Sequence, residues 1–307
     1  MPPRCQPLSP LTYTVACAAL PREDPQRGFR ASEDAFFIAQ AGAGGLLLGL
    51  ADGVGGMASR GLDPGLFARA LMVEAAREAD VAPAVPLREA LAGAFHRVVA
   101  AGVQGASTAL LCRAAASGAV EALGLGDCSA LLLRGDGSPP AVSPRQSLRF
   151  DTPYQLGHLS GGGGLRFDAP EAAAPWAAAL APGDALVLCT DGLTDNLFLG
   201  EIAALHGAAG GGARELALRL VRAAAAAARD RMRDGPFALA AKDADVVWSR
   251  GGRADDVTVI VVVAASIVGG AGGVPPRGAR AACPEPSAAG LVPACALGGK
   301  GADLAIA

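Results

Sequence analysis

No stretch of this chain is apolar for long enough to cross a membrane as a helix. The most apolar uncharged run, Val257 to Val268, holds about twelve residues rich in β-branched side chains, whereas a spanning helix needs roughly twenty. It reads as a buried strand. Positive charge is not in excess either. Against 29 Asp and Glu there are 26 Lys and Arg, a net charge of −3, which removes the general electrostatic case for a nucleic-acid or anionic-membrane partner. Cysteine pairs are missing: seven cysteines are scattered with no CxxC, and an odd count in 307 residues argues against a disulfide framework and for a reducing compartment. The stretch Met1 to Pro21 lacks the charged-then-apolar order of a secretory leader, and with one arginine it makes a poor organelle transit peptide. No repeat at a period of about 20 to 50 residues is visible, which disfavours a solenoid or propeller.

What is present is a chain of 51% hydrophobic and only 18% charged residues, a composition suited to a packed globule. Short apolar runs bounded by Gly, Asp or Pro are the candidate strands: Leu46 to Ala51, Thr108 to Arg113, Val120 to Leu125, Ala130 to Leu133, Ala185 to Cys189 and Val257 to Val263. Three segments carry apolar residues at helical spacing instead: Pro64 to Ala79, Leu87 to Ala101 and Ala213 to Met232. The turn-like Gly126-Asp127-Cys128-Ser129 joins two strands as a hairpin, and paired helices between hairpins point to a layered α+β domain. One domain over residues 12–267 is expected, with a short extension over 1–11. Residues 268–307 hold nine Gly and five Pro without any period, which predicts a disordered tail.

Acidic residues recur where strands meet turns. Glu33-Asp34 precedes Ala35-Phe36-Phe37-Ile38, Asp52 follows Leu46 to Ala51, Asp191 follows Val187-Leu188-Cys189-Thr190, and Asp255-Asp256 precedes Val257-Thr258-Val259. Strand ends in one sheet can bring such carboxylates to a single edge, where they repel unless cations sit between them. Mg²⁺ and Mn²⁺ prefer oxygen ligands and keep part of their water shell, so a carboxylate bridging two of them positions a shared water. Taken singly, Asp52-Gly53 and Asp191-Gly192 fit a plain tight bend equally well.

The ordered set is more specific than its parts. Glu33-Asp34, Asp52-Gly53-Val54-Gly55-Gly56, Gly105-Ala106-Ser107-Thr108-Ala109, Leu125-Gly126-Asp127-Cys128-Ser129, Thr190-Asp191-Gly192-Leu193 and Asp255-Asp256-Val257-Thr258-Val259 together resemble the motif series of the metal-dependent type-2C serine/threonine protein phosphatases. The resemblance runs from about Tyr13 to Ile267. It implies a four-layer α-β-β-α sandwich, two antiparallel sheets flanked by helix pairs, with two Mg²⁺ or Mn²⁺ ions at one end. It also implies that Asp52, Asp191 and Asp255 are the catalytic acids. Asp52 would bridge both ions, the Gly53 carbonyl and Glu33 would reach the second, and Asp191 and Asp255 would hold the first. A third ion, present in some members, would map to Asp127, Asp191 and Asp195. The substrate implied is a phosphoprotein and the acting form a monomer.

Two positions depart from the pattern. Val54 stands where many members have a histidine assigned to protonate the leaving group; the Asp-Gly-Val-Gly-Gly form resembles the organelle-associated branch, found in mitochondria and plastids. A metal-bound water or His158 would then supply that proton. Phe29 occupies the place of the phosphate-binding arginine, for which Arg30 or Arg27 offers a guanidinium fork instead. The branch implies a plastid or mitochondrion, whereas a chain starting at Met1 would be cytoplasmic.

Three other features admit competing readings. Gly53-Val54-Gly55-Gly56-Met57-Ala58 fits a relaxed dinucleotide-binding GxGxxA, but Asp52 would then face a pyrophosphate. A catalytically inactive phosphatase fold acting as a binding module would leave its acids unneutralised. Gly161 to Gly164 reads as a loop, the dispersed His96, His158 and His206 make no zinc site, and Cys189 reads as a small buried hydrophobe.

Overall fold

The computed structural model describes residues 10–24, 28–29, 31–42, 44–81, 84–161, 165–210, 212–249, 251–266 and 304–306. Along the chain come strands β1 (Leu11–Leu20), β2 (Glu23–Asp24), β3 (Gly28–Phe29), β4 (Ala35–Ala41) and β5 (Gly45–Ala51), a 3-10 turn at Gly55–Arg60, and helices α1 (Pro64–Val81) and α2 (Leu87–Ala100). Next are β6 (Gly105–Ser107), β7 (Ala109–Ala114), β8 (Ala119–Leu125), β9 (Ser129–Leu133), β10 (Ala141–Val142), β11 (Ser147–Arg149), β12 (Thr152–Pro153) and β13 (Leu156–His158). The rest is β14 (Ala174–Ala179), β15 (Ala185–Cys189), the single turn α3 (Asp191–Thr194), α4 (Leu199–Ala208), α5 (Ala213–Arg229), α6 (Pro236–Asp243), β16 (Val257–Ser266) and β17 (Leu304–Ile306).

Two large sheets form, in the orders β10-β9-β15-β16-β1-β17 and β14-β8-β7-β5-β4, beside the two-stranded pairs β11-β12, β13-β6 and β2-β3. Pairing within them is antiparallel except where β17 lies parallel to β1. The strands read as unbroken apolar runs because both faces of each sheet are covered. Leu46, Leu48 and Leu50 of β5 meet Ile260 and Val262 of β16 in a core between the sheets. One residue along, Leu47 and Ala51 face Phe67, Leu71 and Leu91 of α1 and α2, while Val259 and Val261 face Leu216, Leu220 and Ala224 of α5. Three apolar layers therefore separate four structural ones, as expected from the sequence.

The glycine-rich segment after β5 opens no dinucleotide site. Gly55–Arg60 is a 3-10 turn, α1 begins only at Pro64, and β5 pairs antiparallel on both sides, whereas that cofactor motif needs a parallel strand running straight into a helix. Of the expected tail, residues 268–303 and 307 lie outside the described residues. Leu304–Ile306 pair with Val15–Cys17 at the edge of β1, where backbone groups would otherwise lack partners.

Candidate metal centre

Antiparallel order brings several strand ends to one end of the sandwich. Asp52 directly follows β5, Asp127 sits in the turn between β8 and β9, Asp191 opens α3 after β15, and Asp255 stands two residues before β16. With Glu33 and Asp151 they line one open cleft of about 430 Å³, together with Arg22, Arg253, Val54 and Thr108. Asp195 stands behind Asp191, its backbone N–H donating to the Asp191 carbonyl at 2.7 Å.

Backbone hydrogen bonds fix these positions. Asp52 N–H donates to Thr108 Oγ1 at 3.0 Å, and its carbonyl accepts from Thr108 N–H and Ser107 Oγ, each at 2.9 Å. Gly53 N–H donates to the Glu33 carbonyl at 3.1 Å. A Cβ on Gly53 would overlap the Pro64 carbonyl oxygen, and one on Gly192 would overlap that of Asp256. Neither glycine is left-handed, so their role is close approach of two chain segments rather than the tight bend that Asp-Gly also fits. Asp256 faces away from the cleft residues' charges: it accepts from Arg22 N–H and Glu33 N–H, each at 2.5 Å, and from Ser32 Oγ at 3.0 Å. Buried Asp34 accepts from Thr190 Oγ1 at 3.1 Å.

Burial and mutual repulsion hold Asp52, Asp127, Asp195 and Asp255 towards protonation, with burial first in each. Asp52 is raised well above the carboxylate range by it and by the charges of Asp34, Asp191 and Asp255. Burial and the Asp191 charge push Asp127 up to about 7 against the pull of Arg145. Asp255 goes up to about 7 for the same reasons, with Arg253 and Arg22 opposing. Asp195 is raised to about 6, opposed by Arg145 and Arg253.

Arginines answer part of that charge. Arg253 Nη1 donates to Asp191 Oδ2 at 2.9 Å and Asp195 Oδ2 at 2.6 Å, while its Nη2 lies 3.1 Å from Asp151 Oδ1 and 3.2 Å from Asp255 Oδ2. Arg145 Nη2 donates to Asp195 Oδ1 at 3.3 Å and lies 4.0 Å from Asp127 Oδ2. Arg22 lies 3.8 Å from Glu33 Oε1 and 3.9 Å from Asp255 Oδ1. The acids of a metal-free scaffold are therefore less bare than the sequence implies, because three guanidinium groups are interleaved with them.

Among the described residues no three His, Cys, Asp or Glu side chains form a ready ligand set. The donor chemistry nonetheless suits a hard divalent cation: the ring is all oxygen, acidic and largely buried, and Asp191 Oδ1 is buried with no hydrogen-bond partner. Placing a divalent cation there would satisfy that oxygen and relieve the repulsion.

Glu33, Asp52, Gly53, Asp127, Asp191 and Asp255 thus share one cleft, and Asp195 joins them through arginine. Arg30 and Arg27 lie outside the described residues, and His158 on β13 is not part of the cleft wall. His96 is exposed on α2. Cys189 is fully buried, burial pushing its thiol up to about 12, which fits a packed hydrophobe. Sequence reasoning passed over Arg22, Arg145 and Arg253. Only Arg253 carried a signal, two residues before a strand-end acid.

No family model matches the chain. It is 32% identical over 272 residues to probable protein phosphatase 2C 26 of Arabidopsis thaliana, covering 84% of this chain and 86% of that protein. It is 35% identical over 243 residues to the protein phosphatase PTC7 homolog fig of Drosophila grimshawi, covering 75% of this chain and 78% of that protein. The chain belongs to the protein phosphatase 2C family. Family members differ in length: probable protein phosphatase 2C 55 of Arabidopsis thaliana, 35% identical over 259 residues covering 81% of this chain, is matched over only 51% of its own length. Among solved phosphatases, the photosystem II phosphatase PBCP superposes with a TM-score of 0.69 at 27% identity, covering 82% of this chain and 98% of that one. The catalytic domain of the serine/threonine phosphatase PstP, solved with two manganese ions, shares the fold with a TM-score of 0.54 at 20% identity, covering 83% of this chain and 100% of that one.

Proposed function

We propose that the chain hydrolyses phosphoserine or phosphothreonine in a protein substrate, using two Mg²⁺ or Mn²⁺ ions held by Asp52, Asp191, Asp255, Glu33 and the Gly53 carbonyl. The observation that carries this reading is the buried, partnerless Asp191 Oδ1 in a cleft ringed by acids that burial and mutual repulsion hold towards protonation. When bound, the ions supply a water acidified to near neutrality and charge neutralisation for the phosphate. The remaining work belongs to the chain. Thr108 and Ser107 hold the Asp52 main chain in place, and Asp256 straps the Glu33 segment to the start of β16. Arg22 points its fork into the cleft beside Glu33 and Asp255, where it can clamp a phosphate oxygen pair in the role first assigned to Arg30. Val54 lines the cleft and offers no proton, and His158 lies outside the wall, so a water, metal-bound or free, would protonate the leaving alkoxide.

Likeness to a photosystem II phosphatase supports a plastid setting within this proposal, with a mitochondrion the other setting that the Asp-Gly-Val-Gly-Gly form implies. A monomer acting on a phosphoprotein completes it. Among the described residues no helix is long and apolar enough to cross a membrane.

The test is release of phosphate from p-nitrophenyl phosphate and from a phosphothreonine peptide with Mn²⁺, with and without EDTA. Turnover should vanish in EDTA, and Asp52→Asn should lower it by roughly 10³-fold or more, the scale of losing one transition-state electrostatic contact and its ions. Full Mn²⁺-dependent turnover in that variant would place the site elsewhere.

A further inference from the structure

Three of the cleft acids, Asp127, Asp191 and Asp195, are the ones a third divalent cation would need. In this structure three of their six oxygens accept hydrogen bonds from arginine. Both oxygens of Asp195 accept from guanidinium groups, Oδ2 from Arg253 at 2.6 Å and Oδ1 from Arg145 at 3.3 Å. Arg253 also takes Asp191 Oδ2, and Arg145 lies against Asp127 Oδ2. Asp191 Oδ1, buried with no hydrogen-bond partner, belongs to the acid that the two-ion site shares.

Arg253 is built into this place rather than resting on it. Asn196 grips its backbone twice: Arg253 N–H donates to Asn196 Oδ1 at 2.9 Å, and Asn196 Nδ2 donates to the Arg253 carbonyl at 2.8 Å. The guanidinium lies 4.7 Å from the centroid of Phe237, whose ring is itself packed against Phe150 and Trp248. Asn196 is buried, and its Nδ2 also donates to the Gly192 carbonyl at 2.9 Å, so the same side chain ties Arg253 to the turn that bears Asp191 and Asp195. Arginine guanidinium groups stay protonated at any working pH, so Arg253 and Arg145 are standing cations at this place.

We propose that Arg253, with Arg145, supplies at Asp127, Asp191 and Asp195 the positive charge that a third divalent cation would otherwise supply, so that the chain binds two ions and not three. Two guanidiniums hydrogen-bonded to Asp195, one of them also to Asp191, repel an incoming cation and occupy three of the oxygens it would need. The inference rests on the two-ion reading above and narrows it. Arg253 acts here as a positioning residue: it fixes the free oxygen of Asp191 towards the cleft by holding the other.

Metal counting tests this on the full chain. Metal-free protein is dialysed to equilibrium against Mn²⁺ raised into the millimolar range, and bound manganese is counted by mass spectrometry. The wild type should take up two ions per chain, and Arg145→Ala/Arg253→Ala should gain a third. Asp195→Asn, which leaves the two-ion ligands untouched, should still bind two while melting at a lower temperature, because both arginines lose an anchor. Three ions in the wild type, no gain in a folded double variant, or loss of an ion from Asp195→Asn each overturns the proposal. No ion bound to the wild type overturns the two-ion reading as well, and is thereby told apart from the other failures.

Discussion

Adjacent aspartates at the start of β16 do opposite work. Asp255 faces the cleft, while Asp256 turns inward to accept from Ser32 Oγ and from the backbone of Arg22 and Glu33. A buried carboxylate accepting such bonds anchors the chain segment that makes them, and its removal leaves their donors without partners. Asp256→Ala should therefore cost about 2–3 kcal/mol of stability and raise the Mn²⁺ concentration needed for half-maximal turnover, because Glu33 and Arg22 lose their shared strap. Chemical denaturation and a Mn²⁺ titration read the two effects. The sequence made Glu33, Asp52, Asp127, Asp191 and Asp255 legible because each sits at a strand end beside a glycine or a second acid, whereas Asp151, between β11 and β12, has no such neighbour and was passed over. Sequence alone gave no means to say which of Asp255 and Asp256 faces the cleft except by family resemblance, since the choice depends on which side of β16 each residue lies. The arginines were illegible for a related reason: Arg145 lies in a loop and Arg22 before a two-residue strand, and only the fold shows that Arg145 reaches Asp127 and Asp195 while Arg22 reaches Glu33 and Asp255.

Elements were easier to read wherever burial was two-sided. Runs such as Leu46 to Ala51 and Ala185 to Cys189 have covered faces above and below, so every position is apolar and the run ends where the cover ends. The helices α1, α2 and α5 show the complementary one-sided pattern, with Phe67, Leu71 and Met72, then Leu91 and Val98, then Leu216 and Leu220 turned to the sheets. Helices α4 and α6 escaped notice because they are short and few of their residues are buried, Ile202 and His206 on one, Phe237 and Ala241 on the other. Phe67 is a clear test of the outer core. It is fully buried beneath β4 and β5, with Phe95 edge-on at 6.4 Å between ring centroids, and α1 begins next to the Pro64 carbonyl that crowds Gly53. Phe67→Ala should destabilise the fold by about 3–5 kcal/mol, the usual cost of a buried aromatic lost to a cavity. Thermal melting measures the loss. Metal affinity should fall less than stability, because the hydrogen bonds that hold Asp52 come from Ser107 of β6 and from Thr108, between β6 and β7, rather than from α1.

For the whole molecule, the acids at one end of the sandwich oppose folding unless their charge is met. Asp127 and Asp255 are pushed up to about 7 and Asp195 to about 6, by burial first and the Asp191 charge next, whereas in the unfolded chain such groups titrate near 4. Between about pH 4 and pH 7 the folded, metal-free chain therefore holds more protons than the unfolded one, so its stability falls as the pH rises through that window. Below the window both states are protonated and the contribution is fully present; above it the protons are gone and the repulsion remains. Divalent cations bind the deprotonated acids, so their stabilisation grows with pH in the opposite sense. The melting temperature of EDTA-treated protein should drop between pH 5 and pH 7.5, and saturating Mn²⁺ should flatten or reverse that drop. Asp255→Asn, which removes one of the repelling charges, should shrink the drop in EDTA and weaken the response to Mn²⁺. A melting temperature that stays level or climbs from pH 5 to pH 7.5 in EDTA would mean that the three arginines already neutralise the cleft, leaving no electrostatic demand for ions to meet.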